Sequence, residues 1–254
     1  DHRDLHSFPT RRSSDLAIGM SASSNWSTEG NQADAYFGYS VSTAGDVNGD
    51  GYSDVIVGAI FFDNGQSNEG AAFVYHGSVS GLSLTSNWNA EGNQTDAQFG
   101  YSVSTAGDVN GDGYSDVIIG VPYFDNGQNN EGAAFVYNGS ASGLSLTSNW
   151  STLGNQDGTY LGLSVSTAGD VNGDGYSDVI IGAPYFTNGQ GNEGAAFVYH
   201  GSASGLSLTS DWSAEGNQNI ARFGISVSSA GDVNGDGYSD VIIGADLFDN
   251  GQSD

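Results

Sequence analysis

The stretch GDVNGDGYSDVIVGA, residues 45–59, recurs almost letter for letter at residues 107–121, 169–183 and 231–245. Its second half, from Asp54 to Ala59, is a short β-branched run of a kind that suits a strand buried on both faces. Its first half cannot be a strand or a helix. Gly49 and Gly51 sit among Asp46, Asn48 and Asp50, a composition that favours a tightly wrapped loop. The stretch therefore predicts a strand, an acidic loop and a second strand, four times over.

Working outward, the same period of 62 residues separates Trp26, Trp88, Trp150 and Trp212. One period predicts four strands: Tyr39 to Gly45, Asp54 to Ala59, Gly70 to Gly77, and Leu82 to Trp88. Between the second and third lies Asp63-Asn64-Gly65, a hairpin signal. Between the third and fourth lies the turn Ser80-Gly81. Four antiparallel strands per repeat, joined by hairpins, predict an all-β chain folded as a β-propeller with about four blades. A solenoid of this period is the alternative, and the hairpin connections favour blades.

The ends differ from the middle. Residues 1–16 hold Arg3, Arg11 and Arg12, three of the four basic residues of the whole chain. They lack the apolar core of a secretory signal and resemble a translated sequencing adapter, so they are expected to be foreign to the fold. Residues 17–254 are assigned to the repeats. The last copy stops at Asp254, just after FDNGQS, which leaves its blade incomplete and suggests a part of a larger ring.

Charge narrows the partners. Thirty acidic residues face four basic ones, for a formal net of −26. Such a surface repels nucleic acid and anionic lipid. No stretch is long and apolar enough for a membrane-spanning helix. The chain has no cysteine, so no disulfide framework is possible.

Each repeat carries D-V-N-G-D-G-Y-S-D. Hard divalent cations take several oxygen ligands. Positions 1, 3, 5 and 9 offer side-chain oxygens, and position 7 offers its backbone carbonyl. The candidate ligands are Asp46, Asn48, Asp50, Tyr52 and Asp54 in the first loop, and Asp108, Asn110, Asp112, Tyr114 and Asp116 in the second. The third loop has Asp170, Asn172, Asp174, Tyr176 and Asp178; the fourth has Asp232, Asn234, Asp236, Tyr238 and Asp240. An EF-hand would need Glu at position 12 and a following helix; here Val57 stands in an apolar β run. About four Ca²⁺ are expected, one per loop. No catalytic residue is assigned.

Phe37-Gly38, the acidic loop and Gly58-Ala59-Ile60 together resemble the FG-GAP repeat of the integrin alpha-subunit propeller. The other copies carry Phe99-Gly100 with Gly120-Val121-Pro122, Leu161-Gly162 with Gly182-Ala183-Pro184, and Phe223-Gly224 with Gly244-Ala245-Asp246. The resemblance implies a seven-bladed type of ring, calcium in the loops of one face and ligand recognition on the other. It also implies an extracellular or cell-surface setting, with bacterial relatives secreted. The expected function is a non-enzymatic adhesion or interaction module for a protein or glycan ligand. An accessory propeller of a secreted hydrolase or polysaccharide lyase, and a multivalent lectin, are the alternatives.

Overall fold

The computed structural model describes residues 24–251. The segment 1–16, expected to be foreign, lies outside them.

Three four-stranded antiparallel sheets and one two-stranded sheet follow one another along the chain. The first holds β1 (Phe37–Gly45), β2 (Asp54–Ala59), β3 (Ala71–Tyr75) and β4 (Trp88–Glu91). The second holds β5 (Ser102–Gly107), β6 (Asp116–Val121), β7 (Ala133–Tyr137) and β8 (Trp150–Leu153). The third holds β9 (Ser164–Gly169), β10 (Asp178–Ala183), β11 (Ala195–Tyr199) and β12 (Trp212–Glu215); β13 (Ser226–Gly231) and β14 (Asp240–Gly244) form the last. Each sheet is a meander with its strands in chain order, which is the blade of a propeller.

The first strands of successive blades lie side by side, β1 by β5, β5 by β9 and β9 by β13. Serine hydroxyls stitch them: Ser40 Oγ donates to the Gly100 carbonyl at 2.7 Å, and Ser102 Oγ accepts from the Val165 amide at 3.1 Å. Between the blades lies the core. Ile56, Val74 and Trp88 of the first blade meet Val103, Val117 and Ile119 of the second. Ile118, Val136 and Trp150 in turn meet Val165, Val179 and Ile181 of the third. Ile118 and Ile119 thus point into different interfaces, which is why the second strand is apolar at consecutive positions.

The FG and GAP segments meet across these interfaces. The Phe99 end of one repeat bridges Gly70 of the preceding one in parallel fashion, as Leu161 does Gly132 and Phe223 does Gly194. Gly120 lies so close to the next blade that a Cβ there would stand 1.9 Å from the Gly162 carbonyl oxygen.

The fourth strand starts later than its sequence suggests. The run from Leu82 to Trp88 alternates apolar and polar residues, yet β4 begins only at Trp88. Residues 82–87 are held in turns instead. The Ser83 amide donates to the His76 carbonyl at 2.9 Å, and Asn87 Oδ1 accepts the His76 amide at 2.9 Å. Leu84 is left 84% exposed, so its alternation marks no buried face.

The repeated tryptophan is a peg between blades. Trp88 and Trp150 each donate Nε1–H to a carbonyl of the following repeat, Ser145 and Ser207, at 2.8 Å. Their rings stand edge-on to Tyr137 and Tyr199 at 4.9 Å. Trp150→Phe loses the donor and the pyrrole part of the buried indole, and is expected to cost about 2 kcal/mol or more in urea unfolding. An unchanged midpoint would show that neither the hydrogen bond nor the packing of this indole holds the blades together.

Candidate metal centre

The acidic loop 46–54 joins β1 to β2 at one end of the blade. β1 leaves its ladder through a register shift between Thr43 and Gly45, where Gly45 has φ +78. The loop then winds around Asp46. Its Oδ1 accepts the amides of Gly49 at 2.7 Å and Asp50 at 3.1 Å, and its Oδ2 accepts that of Gly51 at 2.8 Å. This wrapping needs φ of +71 at Gly49 and +88 at Gly51, values that Cβ-bearing residues rarely adopt. Asn48 Nδ2 donates to Asp50 Oδ2 at 2.9 Å, and the Tyr52 amide donates to Asp50 Oδ1 at 3.0 Å. The loops around Asp108, Asp170 and Asp232 repeat this arrangement.

Positions 1, 3 and 5 are therefore brought together in every loop. Position 9 is placed differently. Asp54 is fully buried, and its two oxygens accept the amides of Val47 at 2.9 Å and Gly77 at 2.8 Å. Asp116 and Asp178 do the same with Val109 and Gly139, and with Val171 and Gly201. The last residue of the motif thus staples the loop to the end of the third strand. A buried carboxylate needs such donors. Burial pushes the Asp116 carboxyl up to about 7, with Asp112 and Asp108 adding to the rise against the two amide bonds. Burial also raises Asp54 and Asp178. The exposed Asp232 goes the other way, lowered first by its hydrogen bond from the Gly237 amide.

No Lys or Arg answers these carboxylates, although His76, with Nδ1 3.2 Å from Asn48 Nδ2, stands beside the first loop and His200 near Asp178. Arg222 is the one Lys or Arg in the described residues, and it pairs with Asp246 and contacts Tyr185 instead. The donors left at each loop are all oxygen: carboxylates at positions 1, 5 and 9, the amide at position 3 and the carbonyl at position 7. Each of these oxygens carries more than one lone pair, so an amide bond does not exhaust it. That set fits a hard divalent cation. Among the described residues, no three His, Cys, Asp or Glu side chains form a metal-holding group by themselves. A loop would need its Asn and its backbone carbonyl as well.

Sequence reasoning missed one repeated polar residue. Glu69, Glu131 and Glu193 are almost wholly buried under the connection between the second and third strands. Glu131 Oε1 accepts the Asn126 amide at 2.6 Å, and Glu193 Oε1 that of Asn188 at 2.6 Å. The turn at residues 63–65 is therefore part of a long loop closed by a carboxylate, not a tight hairpin. A signal existed: Glu precedes Gly-Ala-Ala in three copies.

The opposite end of the blades carries the variation. Tyr36, Gln98, Tyr160 and Arg222 are equivalent in the repeat, as are Tyr39, Tyr101, Leu163 and Ile225. So are Phe61, Tyr123, Tyr185 and Leu247, and Asp34, Asp96, Gly158 and Ile220. An open cleft of about 600 Å³ lies at this end, and Asn192 alone of its nine lining residues falls outside these four sets. Its tyrosines touch in series, Tyr123 to Tyr160 and Tyr160 to Tyr185, both at 5.2 Å between ring centres. Burial raises the hydroxyl pKa of Tyr101 and of Tyr123, and Tyr101 is raised further by its hydrogen bond with Tyr39.

Comparison with known proteins agrees with this layout. The FG-GAP repeat pattern matches residues 37–75, 99–137, 161–199 and 223–254. Integrin alpha-PS2 of Drosophila melanogaster is 34% identical over 225 residues, covering 84% of this chain and 15% of that protein. Integrin alpha-5 of Xenopus laevis is 33% identical over 223 residues, and integrin alpha-V of Gallus gallus 35% over 222. Each of these two matches covers 84% of the chain, which spans 20% of the length of either relative.

Proposed function

Because the chain belongs to the FG-GAP repeat family, we propose that it is a calcium-stabilised propeller segment serving as an extracellular, non-catalytic interaction module. One observation carries the calcium reading: four identical loops gather acidic oxygens with no Lys or Arg to balance them. In each loop Asp, Asn and Asp at positions 1, 3 and 5, the Tyr carbonyl at position 7 and the Asp at position 9 hold one ion. Four Ca²⁺ set eight positive charges against a formal net of −26. The ion supplies structural charge neutralisation, and the protein residues wrap, orient and desolvate it.

The interaction reading is supported by where the copies differ. Duplicated loops kept alike at one end and varied at the other suit a scaffold that presents a recognition face. Near-identical copies also offer no unique acid, base or nucleophile, which supports the non-catalytic assignment.

Calcium titration by calorimetry is expected to give about four sites with Kd in the range of about 10⁻⁴ to 10⁻³ M. Asp112→Ala is expected to remove one of them. A silent titration, or an unchanged stoichiometry in the variant, rejects the ligand assignment. For the recognition face, the full chain is probed on arrays of glycans and of extracellular-matrix proteins. Tyr123→Ala is expected to lose the captured ligand and keep its calcium stoichiometry. Capture that survives Tyr123→Ala rejects this face.

A further inference from the structure

The four loops do not stand apart. Positions 7 and 8 of the second, third and fourth loops lie on positions 1 to 4 of the loop before. The ring of Tyr114 covers Gly49, so closely that a Cβ on Gly49 would lie 2.5 Å from Tyr114 Cε1. Tyr176 covers Gly111 and Tyr238 covers Gly173 in the same way, at 2.4 and 2.5 Å. The adjacent serine grips the backbone. The amide of Ser115 donates to the Asp46 carbonyl at 2.9 Å, Ser177 to Asp108 at 2.9 Å, and Ser239 to Asp170 at 2.8 Å. Ser115 Oγ also accepts the Asp46 amide at 3.2 Å. A third tie runs from the outer turn: the Ser140 amide donates to the Val47 carbonyl at 3.1 Å, and Ser202 to Val109 at 3.0 Å.

The residues that brace one loop are thus the residues that complete the next. The Tyr114 carbonyl is a ligand position of its own loop, while its ring packs on the preceding one. Ser115 stands between the two ligand positions Tyr114 and Asp116. Any event that fixes positions 7 to 9 of one loop also fixes the glycine turn of its neighbour. The loop 232–240 has no such brace among the described residues: nothing lies within 4 Å of a Cβ on Gly235.

We propose that the loops bind calcium with positive cooperativity, coupled in series through Tyr114, Tyr176 and Tyr238 packed on Gly49, Gly111 and Gly173. The inference rests on the calcium reading above. The coupling between two neighbouring loops is reciprocal, so filling either strengthens the other by the same factor, about 5-fold or more. Loops 46–54 and 232–240 each have one neighbour among the described loops, and loops 108–116 and 170–178 each have two.

The test is a calcium titration of the full chain, read by calorimetry and by intrinsic tyrosine and tryptophan fluorescence. The wild type is expected to give a Hill coefficient above about 1. The triple variant Tyr114→Ala, Tyr176→Ala, Tyr238→Ala keeps every carbonyl ligand. It is expected to bind the same number of ions with a Hill coefficient of about 1 and weaker mean affinity. Tyr→Phe at the three positions keeps the rings and is expected to restore cooperativity. Circular dichroism checks that each variant is folded, and if the triple variant is not, single Tyr114→Ala is compared with Tyr114→Phe. Independent binding in the wild type, or unchanged cooperativity in a folded alanine variant, overturns the coupling and leaves the calcium sites standing. No calcium uptake at all overturns both.

Discussion

Chelation with EDTA is expected to lower the melting temperature of this chain by roughly 10–20 °C, and excess Ca²⁺ to restore it. The size follows from linkage. At millimolar dissociation constants and about 10 mM calcium, each site stabilises the fold by about 1.4 kcal/mol, or about 6 kcal/mol for four. For a chain of this size, 1 kcal/mol moves the midpoint by about 2–4 °C. The direction is set by the loops themselves. Without a cation, Asp112 and Asp108 add to the cost of charging Asp116, which sits buried with only two amide donors. A divalent ion removes that repulsion in the folded state and has little to bind in the unfolded one. Scanning calorimetry at fixed ionic strength separates this from general screening. A melt that ignores both EDTA and Ca²⁺ would discard the metal reading.

Gly120→Ala is expected to destabilise the fold by roughly 3 kcal/mol or more, because the new methyl meets backbone and not a movable side chain. A Cβ at Gly120 would stand 1.9 Å from the Gly162 carbonyl oxygen of the next blade, and the equivalents Gly58 and Gly182 show 2.1 and 2.0 Å to Gly100 and Gly224. The blades can accept the methyl only by moving apart, which loosens the interface of Ile118 and Val136 against Val165 and Ile181. Gly127→Ala is the control. Its Cβ would meet nothing within 4 Å, but its φ is +101, so its cost is backbone strain alone, about 1 kcal/mol. Urea unfolding of the two variants compares them directly. Equal losses would mean that the close approach of the blades is not what Gly120 serves.

Much of the architecture was legible in advance. The 62-residue period, the strand from Asp54 to Ala59 and the all-β class follow from local composition and repetition. So does the gathering of Asp46, Asn48 and Asp50, because Gly49 and Gly51 let the turn wind around its first carboxylate. These are properties of neighbours in the chain, and a linear sequence records neighbours.

The tertiary structure decided what depends on residues far apart. Leu82 to Trp88 has a strand's alternation, but Asn87 caps the His76 amide and delays β4 to Trp88. The sequence marks Asp54 as a candidate ligand; only the fold shows that its two oxygens also accept the amides of Val47 and Gly77, the latter 23 residues away. The repeated Glu-Gly-Ala-Ala marks Glu131 as special, but only the closed loop above it explains why a glutamate is buried there. The contact of Tyr114 with Gly49 is the deepest case. In near-identical repeats a residue of one copy and its equivalent in the next have the same neighbours in sequence. The period alone cannot say whether a tyrosine packs within its own loop or on the loop of the adjacent blade. Only the stacking of blades side by side distinguishes the two, and it makes four loops that are separate in the sequence into one connected series.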